Sequence, residues 1–137
     1  MRPFVVIDTN VIVAAMLSSN PDSPVRIVMD WLSEGIFEAI YSKEMFDEYA
    51  KVLHRKKFSF SEEDIAVALD NFQRNGMELT PEKIDASGLP DLKDAPFLEV
   101  SLSVDGSFLV TGNLKHFPVS PRIVSPRELI GILSGRF

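Results

Sequence analysis

The sequence of 137 residues has no cysteine and only two histidines, His54 and His116. The missing thiols exclude disulfide scaffolds, thiolate zinc sites and cysteine nucleophiles together. So few imidazoles also argue against a histidine-rich metal site. The absence of cysteine fits a reducing compartment, and we expect a cytoplasmic protein.

Long apolar runs are missing as well. The most apolar stretch, residues 3–17, is interrupted by Asp8, Thr9 and Asn10. It falls well short of the roughly 20 residues that a membrane span requires. No signal segment or anchor is apparent, so no association with a membrane is expected.

Basic residues are outnumbered by acidic ones, 14 Lys and Arg against 20 Asp and Glu, which gives a net charge of −6. That balance argues against a broad basic surface that grips nucleic acid through many phosphates. Any contact with nucleic acid must therefore be local. Metal ions in an acidic pocket would invert the charge there and reconcile an acidic protein with a polyanionic substrate.

The composition that is present, 45% hydrophobic and 25% charged, is typical of one globular domain, which we expect to span residues 1–137. Short apolar runs alternate with amphipathic segments, so the fold class is α/β with a parallel sheet and right-handed crossovers. The predicted strands are 4–7, 36–41, 77–79, 107–111 and 122–124. The predicted helices are 11–17, a segment from Val25 that Gly35 ends, 43–54, a segment from Ser61 to near Gly76, 93–104 and 126–133.

Two polar residues follow the ends of apolar strands, where ligands bind in open α/β sheets. Asp8 closes the first strand, and Asn113 closes the run Phe108 to Gly112. The alternative for Asp8 is that it only caps the following helix, because aspartate is a good N-cap residue.

Two further acids lie on predicted helices. Glu48 lies at the border of an apolar stripe, where the alternative is a solvated or paired side chain. Asp94 shares a helical face with Phe97 and Leu98, and its alternative is again an N-cap. Carboxylates crowded together need a cation, and oxygen ligands select hard ions such as Mg²⁺ or Mn²⁺.

At this point the sequence resembles the PIN domain family, and specifically the VapC-type toxin component of toxin–antitoxin pairs. The resemblance covers nearly the whole chain in four blocks that stand in the right order and spacing. These blocks are Val5 to Asn10, Ser42 with Glu48 and Val52-Leu53, Asp94 with Phe97 to Glu99, and Leu109 to Asn113.

The resemblance implies a three-layer fold, with about five parallel strands flanked by helices, and a metal-dependent endoribonuclease site. Its acidic quartet carries over onto Asp8, Glu48 and Asp94, but the fourth position, usually Asp, is Asn113 here. An amide oxygen can still ligate Mg²⁺, but it adds no negative charge. A second ion would therefore be bound more weakly or not at all.

Roles follow from this hypothesis. Asp8 and Asp94 would hold the principal metal ion, and Glu48 would ligate a second ion or act as a general base. Four more residues are expected to contact ligands or the RNA phosphate. They are Thr9, Asn10, Thr111 and Lys115.

The basic run of residues 54–57 after the Glu48 helix has two interpretations. It could steer an RNA backbone, or its cations could simply complement the negative end of the helix dipole in solvent. His116, close to Asn113, could approach a phosphate together with Lys115, or it could belong to a plain surface turn.

The implied partners are RNA and an antitoxin protein, with a homodimer also expected from the resemblance. One alternative is a catalytically weak or silent PIN module that only binds RNA or a protein, which the Asn113 departure motivates. The other is a phosphoacceptor domain, since such domains also place an aspartate at a strand end. The sequence opposes the latter, because Asn10 stands where a haloacid-type phosphatase has its second aspartate.

Overall fold

The computed structural model describes residues 2–135, so the outermost positions of the domain predicted over 1–137 lie outside the described residues. Within this range a five-stranded parallel sheet is flanked by six α-helices, none of them long and apolar enough to cross a membrane. The strands are β1 (Phe4–Ile7), β2 (Glu38–Tyr41), β3 (Gly76–Glu78), β4 (Phe108–Val110) and β5 (Ile123–Val124). The helices are α1 (Thr9–Leu17), α2 (Pro24–Ser33), α3 (Lys43–Leu53), α4 (Glu62–Asn75), α5 (Ala95–Ser103) and α6 (Pro126–Leu133).

The strand order across the sheet is β3-β2-β1-β4-β5, and every neighbouring pair is parallel. The chain builds outward from β1 through β2 to β3, then returns to the other side of β1 to add β4 and β5. The strand order thus reverses between β1 and β4, where open α/β sheets form a crevice at their carboxyl ends. The predicted α/β fold with a parallel sheet is confirmed.

The central strands form the core. Val5, Val6 and Ile7 of β1 are fully buried, and so are Leu109 and Val110 of β4. Strands covered on both faces carry continuous apolar runs, which is why these segments could be predicted from sequence. The polar residues that follow these strands emerge directly from the core.

Two predicted helix starts are confirmed by their caps. The Ser42 hydroxyl accepts a hydrogen bond from the amide of Met45 at 3.1 Å, and the Ser61 hydroxyl accepts one from Asp64 at 3.0 Å. Each bond satisfies an amide that the first helical turn leaves free. Because α3 begins directly after β2, Glu48 lies within its first two turns, near the carboxyl edge of the sheet.

The second strand begins at Glu38, not at Ile36 as predicted. The amide of Ile36 donates to Trp31 O at 3.0 Å, and the amide of Gly35 donates to Leu32 O at 3.1 Å. With Gly35 at φ 73°, these bonds form a Schellman motif that ends α2. Ile36 therefore belongs to the helix terminus, although its apolar side chain had suggested a strand.

The helix predicted over 93–104 is divided in the structure. A 3₁₀ turn at Leu92–Asp94 comes first, with Asp91 accepting a hydrogen bond from the Lys93 amide at 2.9 Å. The α-helix α5 follows, with Pro96 in its first turn, where the missing amide hydrogen is tolerated. Asp94 consequently precedes α5 and does not lie inside its first turn.

The junction between α4 and β3 leaves no room for a side chain. Gly76 opens β3 with extended backbone at φ −148°, one residue before the predicted start of the strand. A Cβ at this position would lie 2.6 Å from Phe72 O and 2.7 Å from Ala39 O. Close approach of the backbone, and not an unusual φ, therefore requires glycine here.

We expect Gly76→Ala to destabilise the fold, because both obstructing atoms belong to the backbone and can yield only if α4 or β2 moves. Overpacking of this kind costs roughly 1–3 kcal/mol. Urea unfolding, followed by circular dichroism, measures the change. Gly88→Ala is the matched control, since a Cβ at Gly88 would meet nothing within 4 Å. Equal stability of the two variants would contradict the steric argument.

Candidate active site

Asp8 lies between the ends of β1 and β4 and is only 6% exposed. It precedes α1, which starts at Thr9, two residues earlier than predicted, but its side chain makes no capping hydrogen bond. Its Oδ2 instead accepts from the Thr111 hydroxyl at 2.7 Å and from Asn10 Nδ2 at 3.1 Å. Asp8 therefore occupies the N-cap position of α1 without a capping bond from its side chain, and its carboxylate faces the site.

The environment of Asp8 is costly for a negative charge. Burial, together with the smaller effects of the Asp94 and Glu48 charges, raises the pKa of Asp8 to about 6 against the lowering effect of the Thr111 hydroxyl. This is the response expected when carboxylates are crowded without a cation. Asp8 is thus poised to gain from a nearby positive charge.

Glu48 reaches the site through Thr9. The Thr9 hydroxyl, on a residue that is 7% exposed, donates to Glu48 Oε2 at 2.7 Å. Glu48 itself is half-buried, as its position at the border of the α3 stripe predicted. The hydrogen bond joins α3 to the start of α1 and fixes one carboxylate oxygen.

Asp94 is half-buried beside His116, with 3.0 Å between Asp94 Oδ2 and His116 Nδ1. Burial raises the pKa of Asp94, while the imidazole of His116 opposes that rise. The contact does not have hydrogen-bond geometry, and within residues 2–135 Asp94 Oδ2 is the one buried side-chain oxygen or nitrogen without a hydrogen bond. Asp94 occupies the N-cap position of α5, but its side chain makes no capping bond either.

Asn113 is held by the strand end and by the turn that follows it. Its backbone amide donates to the Thr111 hydroxyl at 2.9 Å, and its side-chain Nδ2 lies 3.0 Å from His116 Nε2. The preceding residue is tied as well, because the Gly112 amide donates to Asn10 Oδ1 at 3.0 Å. Asn113 therefore lies in one network with Thr111, Asn10 and Asp8.

The structure joins most of the predicted site residues through direct contacts. Asp8, Asn10, Thr111 and Asn113 form one network at the ends of β1 and β4, and Thr9 links Glu48 to it. Lys115 is exposed and does not enter this network. The side chains of Thr9, Asn10 and Thr111 are used in internal hydrogen bonds. Contact with RNA stays a prediction for these three residues and for Lys115.

The basic run after α3 is engaged locally. His54 contacts Ala50 O at 2.6 Å through Nδ1 and Glu62 at 3.2 Å through Nε2, and Lys57 lies over the Phe58 ring at 5.1 Å. The contact between His54 and Glu62 connects the end of α3 to the start of α4. These contacts favour the helix-terminus interpretation over a role in steering RNA.

Glu99 is a buried acid that lies in the third block of the family resemblance but was not a predicted site residue. It is 4% exposed, accepts a hydrogen bond from the Ile84 amide at 3.0 Å and lies 3.6 Å from Lys83 Nζ. It therefore anchors the long segment before α5. An acidic residue inside the apolar run of residues 97–100 was the signal that could have indicated it.

A cleft of about 350 Å³ between α3 and α5 contains both Glu48 and Glu99. Three lysines and three glutamates line it together with Met45 and Phe97, so its rim carries charges of both signs. No sequence pattern indicated this rim, because its lysines come from three distant segments. They are Lys51, Lys83 and Lys93.

The chemistry of the donors suits a hard divalent cation. Asp8, Asp94, Glu48 and Asn113 offer only oxygen ligands, and the buried Asp94 Oδ2 lacks a hydrogen bond. Across residues 2–135, however, no three carboxylate or imidazole side chains are grouped closely enough to hold an ion as they stand. Ligation would therefore require side chains to close around the ion.

The fold and the site together define a class: an open parallel α/β domain with carboxylates at the point where its strand order reverses. A family model described as a PIN domain matches residues 4–115, and the chain belongs to the PIN domain family. No curated protein matches the chain. Membership of this family implies a nuclease-type, hydrolytic function, which stands in place of the phosphoacceptor alternative.

We expect Asp8→Asn to stabilise the metal-free protein at neutral pH. The pKa of Asp8 is about 6 in the fold against 3.8 for an unperturbed aspartate, so the folded chain holds this proton more tightly. The resulting stabilisation is present below the unfolded pKa and is lost as pH rises through 6. The substitution should therefore remove a penalty on the order of 3 kcal/mol at neutral pH.

Urea unfolding in EDTA, repeated from acidic to neutral pH, measures this effect. The difference between variant and wild type should grow as the pH rises, because only the wild type acquires the buried charge. Asp105→Asn, in an exposed turn, is the control and should show no such growth. A difference for Asp8→Asn that does not change with pH would refute the argument.

Proposed function

We propose that this chain is a Mg²⁺- or Mn²⁺-dependent endoribonuclease and the toxin of a VapC-type toxin–antitoxin pair. The observation that carries the proposal is the buried carboxylate of Asp8, crowded by the charges of Asp94 and Glu48 at the reversal of strand order. Membership of a nuclease family supports hydrolysis of a phosphodiester. The metal ion, the RNA substrate and the toxin role are proposed in addition to what family membership shows.

A bound divalent ion would supply positive charge to the phosphate oxygens and lower the pKa of water. Asp8 and Asp94 would hold it, with Asn113 contributing an amide oxygen. Thr111 and Asn10 keep the Asp8 carboxylate oriented toward the site through bonds to Oδ2. The Asp8 carboxylate is therefore oriented before the ion binds, while the other oxygen ligands would close around the ion.

Glu48 would accept the proton that the attacking water releases. In hydrolysis the water oxygen bonds to phosphorus, the P–O bond to the leaving sugar breaks, and the attacking water loses a proton. The Thr9 hydroxyl occupies Oε2 of Glu48, which leaves Oε1 to accept that proton or to ligate a second ion. The half-buried setting keeps the carboxylate accessible from the cleft between α3 and α5.

Purified protein with Mn²⁺ or Mg²⁺ should cleave structured RNA, and Asp8→Asn should reduce cleavage at least a hundredfold while circular dichroism stays unchanged. Loss of a residue that anchors the metal removes an electrostatic contribution of several kcal/mol. Asp105→Asn should cleave like the wild type. Equal activity of wild type and Asp8→Asn would attribute the cleavage to a contaminating nuclease.

The second candidate is a PIN module that binds but does not cleave. Asn113 favours it, because the amide replaces a negative charge in the quartet. Calorimetric titration with Mn²⁺ separates the two functions. Tight binding of one ion without RNA turnover would support the silent module, and turnover with any metal would exclude it.

A partner surface completes the proposal. A groove of about 530 Å³ lies between α1, α2 and α4, with an apolar floor and charged residues of both signs on its rim. Such a groove suits an amphipathic helix of an antitoxin. Val67, on α4, lines it and is 66% exposed, a large exposure for an apolar side chain.

The product of a small reading frame next to this one should co-purify with the chain, and Val67→Asp should weaken that complex tenfold or more. A charge placed in an apolar contact costs roughly 1–3 kcal/mol, which is the basis of that factor. Size-exclusion chromatography of the same samples reports whether the free chain forms a homodimer.

Val119→Asp is the control, since Val119 is fully exposed and lies outside the groove. Absence of a neighbouring frame, or a complex that Val67→Asp leaves intact, would oppose this partner surface. Neither outcome bears on cleavage.

A further inference from the structure

His116 lies between two of the predicted metal ligands. Its Nδ1 is 3.0 Å from Asp94 Oδ2, and its Nε2 is 3.0 Å from Asn113 Nδ2. Asp94 precedes α5 and Asn113 follows β4, so the imidazole connects two separate segments of the site. The match to the PIN domain family ends at Lys115, one residue before it.

We propose that His116 is a positioning residue that orients Asp94 and Asn113 so that each presents an oxygen to the cation. The inference rests on the proposed metal-dependent function and names a residue that the family's quartet does not include. Its basis is the donor and acceptor pattern of the two contacts, one on each ring nitrogen.

The contact with Asp94 determines which nitrogen carries the hydrogen. A carboxylate is only an acceptor, so a bare nitrogen lone pair 3.0 Å from a buried oxygen would be repelled. A proton on Nδ1 removes that repulsion even though the contact is not aligned as a hydrogen bond, so we assign the hydrogen to Nδ1. In a neutral imidazole Nε2 is then an acceptor, and it can take a hydrogen bond only from the amide group of Asn113.

This pairing orients the Asn113 side chain. With Nδ2 turned toward His116, the carbonyl Oδ1 is directed elsewhere, and it accepts no hydrogen bond from residues 2–135. Oδ1 is the only side-chain atom of asparagine that can ligate a hard cation. A carboxylate at position 113 could not donate to Nε2, so Asn113 and His116 form a matched pair.

The turn around His116 is itself well anchored. The His116 amide donates to Asn113 O at 3.0 Å, and the next residue, Phe117, is buried at 6% exposure. The turn is thus held by its backbone and by Phe117, and the ring lies between Asp94 and Asn113. Partners of this kind, which hold metal ligands in place, change metal affinity about tenfold to a hundredfold when they are removed.

The tautomer is tested first, in EDTA, by long-range proton–nitrogen correlation NMR of the imidazoles at pH 8. The chain has only two histidines, so His54→Gln leaves the signal of His116 alone. We expect the Nδ1–H tautomer. Any other protonation pattern for His116 would overturn the inference, whatever the protein does with metal or RNA.

The effect on the cation is tested by Mn²⁺ calorimetry. His116→Ala should weaken binding about tenfold to a hundredfold, and His116→Gln should restore most of it, because its amide can donate to Asp94 and accept from Asn113. His54→Gln should bind like the wild type. Unchanged or tighter binding by His116→Ala, or failure of glutamine to restore binding, would overturn the inference.

Asp8→Asn in the same titration keeps the two proposals apart. Loss of Mn²⁺ binding in Asp8→Asn with normal binding in His116→Ala would retain the metal site and refute the positioning role. Unchanged binding in Asp8→Asn would refute the proposed metal site, and the NMR tautomer would still decide the hydrogen-bond pattern of His116.

Discussion

The site depends on one hydrogen bond, from the Thr111 hydroxyl to the Asp8 carboxylate, between residues 103 positions apart. It crosses from the end of β4 to the end of β1, the two strands between which the strand order reverses. Two more hydrogen bonds of the network end on these same two side chains. The backbone amide of Asn113 donates to the Thr111 hydroxyl, and the side-chain Nδ2 of Asn10 donates to the same Asp8 oxygen.

The same arrangement lowers the free energy of unfolding at neutral pH. A carboxylate that is 6% exposed, beside two other acids, has lost most of its hydration and is repelled by its neighbours. Without a cation, this charge opposes folding at neutral pH, so stability is lower than the hydrophobic core alone would allow. Sites that carry out chemistry often keep such strain because a ligand relieves it.

The sheet could be predicted because its signal is local. Apolar runs of four or five residues between amphipathic helices are characteristic of buried parallel strands, and serine caps marked the starts of α3 and α4. The misplaced boundaries have a common cause. Ile36 was assigned to a strand because it is apolar, but its backbone hydrogen bond makes it part of the Schellman terminus of α2. Asp94 was assigned to a helix, but its backbone hydrogen bond makes it part of the 3₁₀ turn before α5.

The sequence by itself determined the parallel α/β fold and the four segments that supply Asp8, Glu48, Asp94 and Asn113. It did so because strand ends and stripe borders are properties of short segments. Only the tertiary structure decided which groups touch: Thr9 with Glu48, Thr111 with Asp8, and His116 with both Asp94 and Asn113. Hydrogen bonds between distant segments have no spacing rule along the chain, since their partners meet only after the sheet has formed. For Asp8 that meeting turned a strand-end aspartate into a buried, crowded carboxylate.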